Sequence, residues 1–239
     1  MTRLNNEEYY DRFATGYEAE RHKRYHRFLD TSELNAARKY VQGRSVLELG
    51  CGTGLVLEPL ADLASTATGI DISHGMLVKA QARNLQVAQA DATALPFADG
   101  TFDCVVSFKV LAHIEDIRGT VAECARVIRP GGHLVLEFYN RQSLRHLVKR
   151  LKPAHAIANT TTDEQVYTRY DSMEDIASYL PPSVTIEKVV GIRCLAPTYH
   201  FFNTPVIGVI TERLERAVQT SPLGRLGGFL VVIARKLEK

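Results

Sequence analysis

The chain has 239 residues, of which 45% are hydrophobic and 23% charged, which suits a globular protein with one large domain or a core with an appended lid. Its formal net charge of +2 argues neither for nor against a nucleic-acid partner, so local clusters must be examined. The polar, acidic residues 1–11 are not a secretory signal. No apolar run approaches the roughly 18 residues of a membrane span.

Four cysteines are scattered along the chain, at Cys51, Cys104, Cys124 and Cys194. No two of them form the Cys-x-x-Cys pair that is typical of zinc and redox sites. We interpret them as free thiols of a reducing cytoplasm, and we expect neither a disulfide framework nor a bound metal.

The first 140 residues predict helices followed by an alternation of strands and helices. An aromatic-rich helical region is predicted over 5–40. Strands are predicted at 45–49, 67–71, 86–90, 102–108 and 133–139, and helices at 55–64, 75–83 and 118–128. Strands that alternate with helices of this length indicate parallel βαβ units, whose sheet is covered on both faces.

Beyond residue 140 the alternation is lost. The later predicted elements are a basic helix at 141–151, a polar loop-rich segment at 152–171, a helix at 172–180, a strand at 184–195, a helix at 206–219 and a strand at 227–235. Ser172 precedes two acids in the first turn of its helix, and both features are good start signals. We therefore expect two insertions, at about 141–171 and 196–226.

The segment VLELGCGTG at 46–54 joins the first predicted strand to a helix. Its glycines, Gly50, Gly52 and Gly54, occupy every second position. Glycine lets backbone approach a ligand closely, and the start of a helix offers free N–H groups. The loop therefore predicts a nucleotide-like cofactor. Its spacing differs from the Gly-x-Gly-x-x-Gly of dinucleotide-binding proteins.

Three acids lie near the carboxyl ends of successive predicted strands. Glu48 precedes the glycines, Asp71 ends the second strand and Asp91 follows the third. An acid about 20 residues after the glycine loop can accept hydrogen bonds from the hydroxyls of a ribose. We expect these acids to cluster at the edge of the sheet where such folds bind ligands.

In combination these segments resemble the class I S-adenosylmethionine-dependent methyltransferases. Within that superfamily the chain is similar to the small-molecule branch, called methyltransferase type 11, which includes the ubiquinone- and menaquinone-biosynthesis enzymes. Besides 46–54, the matching residues are 69–73, Met76, 91–92, 95–97, 102–107, 113–114 and 129–132. The resemblance implies a Rossmann-like, doubly wound α/β sheet of seven strands, mostly parallel with the last antiparallel. It also implies one bound S-adenosylmethionine, which leaves as S-adenosylhomocysteine.

The resemblance also implies which residues bind the cofactor. They are Tyr17, Glu48, Gly50, Cys51, Gly52, Gly54, Asp71, Ile72, Met76, Asp91, Ala92, Ser107 and Phe108. Asp71 would hold the ribose hydroxyls, Asp91 would accept from the adenine amino group, and Tyr17 would close over the cofactor. Glu48 would orient the loop or reach the cofactor amine through water.

His113 is the candidate catalytic residue, because it follows the fourth strand near where the methyl group would lie. Methyl transfer is an in-line displacement, so alignment supplies much of the rate. An oxygen or nitrogen nucleophile can also need a base, which histidine can provide. The alternative is that His113 only shapes the pocket. The residues expected on the acceptor side are Tyr10, Tyr139, Tyr170 and His200.

The sequence thus predicts a cytoplasmic, single-domain enzyme over 1–239 that methylates an oxygen or nitrogen of a small molecule. We expect a helical cap at 1–40, a cofactor-binding core at 41–140 and acceptor-side insertions at 141–171 and 196–226. The resemblance leaves the acceptor and the oligomeric state open.

Two basic clusters, at 21–27 and 141–152, keep an RNA or protein methyltransferase as an alternative. For the second cluster a solvated helix face is favoured, so nucleic acid is a disfavoured partner. A catalytically inactive, cofactor-binding regulatory protein is a further alternative. A nicotinamide-dependent oxidoreductase is disfavoured by the glycine spacing and by Asp91.

Overall fold

The computed structural model describes residues 6–14, 16–18, 21, 23–151, 156–158, 161–162 and 167–238. Its helices are α1 (Asn6–Ala14), α2 (Arg24–Val41), α3 (Leu57–Ala61), α4 (His74–Gln81), α5 (Ile117–Val127), α6 (Leu144–Leu151), α7 (Met173–Tyr179), α8 (His200–Asn203) and α9 (Pro205–Val218). Its strands are β1 (Ser45–Leu49), β2 (Thr66–Asp71), β3 (Val87–Gln89), β4 (Phe102–Ser107), β5 (Ile128–Tyr139), β6 (Ala156–Ala158), β7 (Thr161–Thr162), β8 (Val184–Ile192) and β9 (Phe229–Lys236). Short 3-10 helices occupy Leu111–His113 and Pro222–Leu226.

Seven strands form one sheet in the order β3-β2-β1-β4-β5-β9-β8. The five strands β3, β2, β1, β4 and β5 are parallel. β9 runs antiparallel to both of its neighbours, β5 and β8. This confirms the predicted doubly wound α/β sheet with its last strand antiparallel. The strands β6 and β7 form a separate two-stranded sheet.

Apolar side chains cover both faces of the sheet. Because successive residues of a strand point to opposite faces, Leu47 packs in a cluster with Val121 of α5 and Ile176 of α7. Its neighbour Val46 packs instead with Phe28 of α2 and Phe202 of α8. Burial of this kind on both faces is what a central parallel strand requires.

The pairing register aligns the carboxyl ends of β1, β2 and β4. Leu49 at the end of β1 lies opposite Ile70 of β2 and opposite Ser107 of β4. The three strands therefore end side by side, and the loops that follow them meet at one edge of the sheet.

Several boundaries differ from the sequence-based expectations. Of the helical region expected over 5–40, the described residues form α1 and α2, with turns at 16–18 and 21. The helix expected at 55–64 is shorter, because a turn continues to residue 56. The strand expected at 184–195 ends at Ile192, where Arg193 takes a left-handed φ of 59°. The start of α7 is as predicted, since Ser172 and Asp175 form a capping box.

The expected insertion at 196–226 forms α8, α9 and a 3-10 helix, and the one at 141–171 contains α6, β6 and β7. No helix in the described part of the chain is long and apolar enough to cross a membrane. The four cysteines are buried and free. Within the described ranges, no three His, Cys, Asp or Glu side chains are grouped to hold a metal ion.

Candidate functional site

A cavity of about 440 Å³ opens at the carboxyl ends of the parallel strands. Its walls include Gly50 and Gly52 after β1, residues 70–72 at the end of β2, 90–93 after β3 and 108–110 after β4. The rest of the lining is Tyr10, Tyr17, Met76, Tyr167 and residues 113–116. This is the edge at which open α/β sheets bind their ligands.

The three glycines of the first loop have left-handed backbones but different surroundings. Their φ angles are 66° at Gly50, 54° at Gly52 and 85° at Gly54. A Cβ on Gly50 would collide with Val110, and one on Gly54 would collide with Leu85. A Cβ on Gly52 would meet no protein atom within 4 Å. Gly52 therefore leaves open space beside the cavity, whereas the other two glycines permit close packing.

Asp71 ties the glycine loop to the end of β2. Its Oδ2 accepts a hydrogen bond from the Gly52 N–H at 2.8 Å, and its Oδ1 accepts from the Ser73 N–H at 2.9 Å. Burial raises the pKa of Asp71, although these hydrogen bonds act in the opposite direction. Since a carboxylate oxygen can accept more than one hydrogen bond, Asp71 can also bind hydroxyl groups in the cavity.

The cavity wall that follows β2 and β3 combines apolar side chains with a second acid. Ile72 and Met76 line the cavity, and Met76 is buried. Asp91 is exposed and lines the cavity together with Ala92. Its Oδ1 accepts from the Thr93 N–H and the Thr93 hydroxyl, both at 2.8 Å.

Four predicted cofactor-binding residues are buried and do not line the cavity: Glu48, Cys51, Gly54 and Ser107. Ser107 Oγ donates to the Leu49 carbonyl at 3.3 Å, which joins β4 to β1. Burial raises the pKa of Glu48 to about 8. The Oε2 atom of Glu48 is buried and finds no hydrogen-bond partner among the described residues.

Helix α1 is attached beside the cavity through Asp11. Asp11 Oδ1 accepts from the Ser73 hydroxyl at 2.5 Å and from the Gly75 N–H at 2.9 Å. The hydrogen bond with Ser73 is the main reason that the pKa of Asp11 is lowered. This attachment places Tyr10 on the cavity wall. Sequence reasoning missed Asp11, because a single acid on a polar helix gives no signal of its distant partner.

His113 lies on the cavity wall between two tyrosines. Its Nδ1 is 2.8 Å from the main-chain carbonyl oxygen of Tyr167. Its ring centroid lies 6.3 Å from that of Tyr10 and 5.7 Å from that of Tyr139, both edge to face. Since a carbonyl oxygen only accepts, Nδ1 carries the proton in the neutral ring and Nε2 has the lone pair.

The other predicted acceptor residues lie outside the cavity lining. Tyr139 is behind His113, and its ring centroid is 5.8 Å from that of Tyr170. His200 begins α8, is exposed, and stacks on Tyr199 at 4.1 Å between ring centroids. The structure therefore places Tyr10 and Tyr139 against His113, and Tyr170 against Tyr139, but does not bring His200 to them.

A buried ionic cluster, which sequence reasoning missed, lies beside the cavity. Lys109 lines the cavity, and its Nζ is 3.0 Å from Asp30 Oδ1 and 2.9 Å from Glu33 Oε2. Arg21 Nη2 is 2.5 Å from the same Asp30 oxygen. The Lys109 N–H donates to Glu137 Oε1 at 3.2 Å. Burial raises the pKa of both Glu33 and Glu137, even though Lys109 lowers it. The one sequence feature that could have indicated this cluster is a lysine just after an apolar strand.

Arginines of both predicted basic clusters pair with acids of the chain itself. Arg24 contacts Glu212 of α9 at 3.5 Å. Arg141 contacts Asp175 of α7 at 2.7 Å. The Arg24 pair joins α2 to α9, whereas Arg21 and Arg141 tie turns to α2 and α7. These internal pairs lower the positive charge left for an external partner.

Comparison with known proteins agrees with this geometry. Residues 47–136 match the model of a family described as methyltransferase domain. A ubiquinone biosynthesis O-methyltransferase of Aromatoleum aromaticum is 30% identical over 158 residues, 63% of this chain and 66% of that protein. A protein of the same name from Alkalilimnicola ehrlichii is 35% identical over 114 residues, 45% of this chain and 46% of that protein. The chain thus spans less than two thirds of the length of these relatives.

Solved structures resemble the fold over nearly the whole chain. An S-adenosylmethionine-dependent methyltransferase of Thermotoga maritima, described as a possible histamine N-methyltransferase, has a TM-score of 0.68 and 22% identity. The match covers 96% of this chain and 98% of that one. The N-methyltransferase NodS of Bradyrhizobium japonicum, solved with S-adenosylhomocysteine, has a TM-score of 0.66 and 18% identity. It covers 98% of this chain and 100% of that one.

Proposed function

Because residues 47–136 are a domain of the methyltransferase family, we propose that this protein transfers a methyl group from S-adenosylmethionine to a small molecule. The observation that carries the proposal is the cavity at the strand ends, where Gly52 leaves open space next to the Asp71 carboxylate. The relatives named for ubiquinone biosynthesis act on oxygen, and NodS is named an N-methyltransferase. Oxygen and nitrogen are therefore the acceptor atoms that we propose.

The residues around the cavity fit the proposed cofactor. Asp71 would accept hydrogen bonds from the ribose hydroxyls, since both of its oxygens are already oriented by backbone N–H groups. Asp91 and Ala92 would bind the adenine edge, with Ile72 and Met76 as its apolar walls.

The methionyl end would lie along Gly50 and Gly52, near Tyr17 and Phe108. Glu48, whose buried Oε2 has no hydrogen-bond partner among the described residues, would orient the loop or reach the cofactor amine through water. Cys51, Gly54 and Ser107, which lie outside the cavity lining, would shape the loop rather than touch the cofactor.

His113 is the proposed general base. When bound, S-adenosylmethionine supplies an electrophilic methyl group on a sulfonium. The hydrogen bond from His113 Nδ1–H to the Tyr167 carbonyl fixes the tautomer that leaves Nε2 basic. His113 Nε2 would then accept the proton that the acceptor oxygen or nitrogen loses as its bond to the methyl carbon forms. The bond that breaks is the one between the methyl carbon and sulfur, and the leaving group is S-adenosylhomocysteine. Tyr10 would orient the acceptor beside His113.

The remaining assignments belong to the same proposal. We assign 1–40 as a helical cap, 41–140 as the cofactor core, and 141–171 and 196–226 as acceptor-side insertions. A cytoplasmic location is supported by four buried cysteines that form no disulfide. The internal ion pairs of Arg24 and Arg141 support a small-molecule acceptor over RNA.

Titration calorimetry tests the cofactor. We expect one molecule of S-adenosylmethionine or S-adenosylhomocysteine to bind per chain, with a Kd in the range of about 1 μM to 1 mM. Asp71→Ala should abolish that binding. No binding by the natural chain at millimolar cofactor would contradict the proposal.

A panel of small-molecule acceptors, assayed for release of S-adenosylhomocysteine, tests the reaction. We expect turnover with a hydroxylated or amine-bearing compound and none with total RNA. If RNA alone supports turnover, and does so less well as salt is raised, the RNA alternative replaces the small-molecule proposal.

A further inference from the structure

Lys109 places a positive charge on the wall of the cavity. Among the described residues that line the cavity, it is the one lysine or arginine, against four acids: Asp71, Asp91, Glu115 and Asp116. Asp71 and Asp91 follow β2 and β3, whereas Lys109 follows β4. The ends of β2 and β3 therefore present carboxylates to the cavity, whereas the turn directly after β4 presents an ammonium group. Glu115 and Asp116 come later in the segment between β4 and α5.

The backbone holds Lys109 directly against the glycine loop. Its φ of 61° is left-handed, a conformation that L residues adopt at an energetic cost and that surrounding structure must maintain. The next side chain, Val110, lies where a Cβ of Gly50 would be. The turn that carries Lys109 is thus packed against the part of the loop at which the methionyl end of the cofactor is proposed to lie.

Two acids of α2 hold the ammonium group without using all of its donors. Lys109 Nζ contacts Asp30 at 3.0 Å and Glu33 at 2.9 Å. An ammonium group has three N–H donors, and no third acceptor for it is found among the described residues. One donor is left for a ligand. The side chain is 19% exposed, so it is not sealed from the cavity.

A second cation makes the cluster electrically balanced. Arg21 forms an ion pair with Asp30, the acid that also contacts Lys109. The Arg21 guanidinium lies 5.4 Å from the ring centroid of Tyr17, which lines the cavity. Lys109 and Arg21 offset Asp30 and Glu33. Burial raises the pKa of Glu137, the third acid of the cluster, which favours its uncharged form. A ligand carboxylate can therefore approach Lys109 without meeting an excess of negative charge in this cluster.

We propose that Lys109, positioned by Asp30 and Glu33, binds the α-carboxylate of the methionyl part of the cofactor. This inference rests on the proposed function, and it adds a cofactor-binding residue that the resemblance did not supply. The methionyl end carries a carboxylate that needs a donor. The acids at the ends of β2 and β3 would repel a carboxylate, so the polarity of the lining also sets the direction in which the cofactor lies.

The test compares two ligands that differ only in this group. S-adenosylmethionine and its decarboxylated analogue share the adenosine, the sulfonium and the amine, and calorimetry gives a Kd for each. The variants are Lys109→Met and the matched control Lys79→Met, whose lysine donates to the Ala14 carbonyl and does not line the cavity. A second variant, Lys109→Met with Glu33→Gln, removes one of the two carboxylates that the first would leave buried without its cation.

We expect both Lys109 variants to bind S-adenosylmethionine about 10- to 100-fold more weakly, the size of effect for a lost charge-assisted hydrogen bond. The decarboxylated analogue should change by less than about threefold, and Lys79→Met should leave both affinities unchanged. Unchanged binding of S-adenosylmethionine, or equal weakening of both ligands in both Lys109 variants, overturns the inference. A natural chain that binds neither ligand overturns the proposed function itself, which is a different result.

Discussion

The Nδ1 atom of His113 and the main-chain carbonyl oxygen of Tyr167 lie 2.8 Å apart, although 54 positions separate the two residues in the chain. The contact joins the turn after β4 to the segment that precedes α7. The imidazole is oriented by a main-chain atom. The tautomer of His113 therefore does not depend on the side chain at position 167.

We expect His113→Ala to lower kcat by about 10²- to 10⁴-fold with the natural acceptor, the usual contribution of a general base. The Kd for S-adenosylhomocysteine should change by less than about threefold, because the cofactor contacts are proposed to lie elsewhere in the cavity. His200→Ala is the control, since His200 is exposed on α8 and outside the cavity lining. A kcat for His113→Ala within tenfold of the natural chain would remove the role of base.

Gly52→Ala should fold and yet lose the cofactor. Alanine at a φ of 54° costs about 1–2 kcal/mol in backbone strain, and its methyl group would occupy the open space beside the cavity. We expect the Kd for the cofactor to rise more than tenfold. Gly43→Ala is a matched control, with a φ of 68° and equally open surroundings, outside the cavity lining.

Calorimetry and urea unfolding on both variants separate the two effects. We expect similar losses in the free energy of unfolding for Gly43→Ala and Gly52→Ala, but weakened binding only for Gly52→Ala. Equal affinities in the two variants would mean that Gly52 does not face the cofactor.

Glu48 makes the free energy of unfolding depend on pH. Its folded pKa of about 8 exceeds that of an unfolded glutamate, about 4.3, so the folded state binds more protons between these values. Stability from this group is therefore complete below about pH 4.3 and falls as the pH rises toward 8. Burial is the main cause, Glu33, Asp71 and Asp30 add to it, and Lys109 opposes it.

We expect Glu48→Gln to gain stability relative to the natural chain as the pH rises from 5 to 8, by up to about 4 kcal/mol. Urea unfolding without cofactor at intervals of one pH unit measures the difference. Glu174→Gln, at an exposed acid in the first turn of α7, is the comparison variant. Parallel stability curves for Glu48→Gln and the natural chain would show that Glu48 does not titrate in this way.

Glu215 of α9 stabilises the segment that follows β8. It is fully buried, and its carboxylate accepts from the N–H groups of Cys194 at 2.6 Å, Leu195 at 2.9 Å and Ala196 at 2.8 Å. Glu215→Ala would leave three N–H groups without this partner, so the free energy of unfolding should fall by roughly 2–4 kcal/mol.

Glu212→Ala, on the same helix, is the comparison for Glu215. Glu212 forms partly exposed ion pairs with Arg24 and Arg216, and pairs of that kind contribute less than about 1 kcal/mol. In chemical denaturation, the free energies of unfolding of the two variants should differ by more than 1 kcal/mol. Equal losses would contradict the stabilising role of the buried Glu215 carboxylate.

The sequence predicted the parts of the site that depend on local pattern. The spacing of Gly50, Gly52 and Gly54 and the acid at Asp71 are signals within one βαβ unit, and the structure places Asp71 on the loop through a direct hydrogen bond to Gly52. The capping box at Ser172 is local in the same sense.

Contacts between distant segments could not be predicted in this way. Lys109 and its partner Asp30 are 79 positions apart, and Asp11 and Ser73 are 62 apart. Each of these side chains is unremarkable in its own stretch of sequence, and the pairing exists only because the sheet brings α1 and α2 to the strand ends. His200 shows the converse. Its residue type and its place in an insertion predicted an acceptor-side role, but its side chain is exposed and lies outside the cavity lining.

The position of β9 has a consequence for synthesis of the chain. β9 follows β8 in sequence but lies between β5 and β8 in the sheet. A nascent polypeptide that has emerged only as far as β8 therefore has nothing to pair with the outer edge of β5, where Val135 and Phe138 will later face Ile233 and Leu230. Such an open, apolar edge is a template for aggregation. That edge closes only once β9 has been made and has reached β5, so the risk of aggregation persists until the last strand is in place.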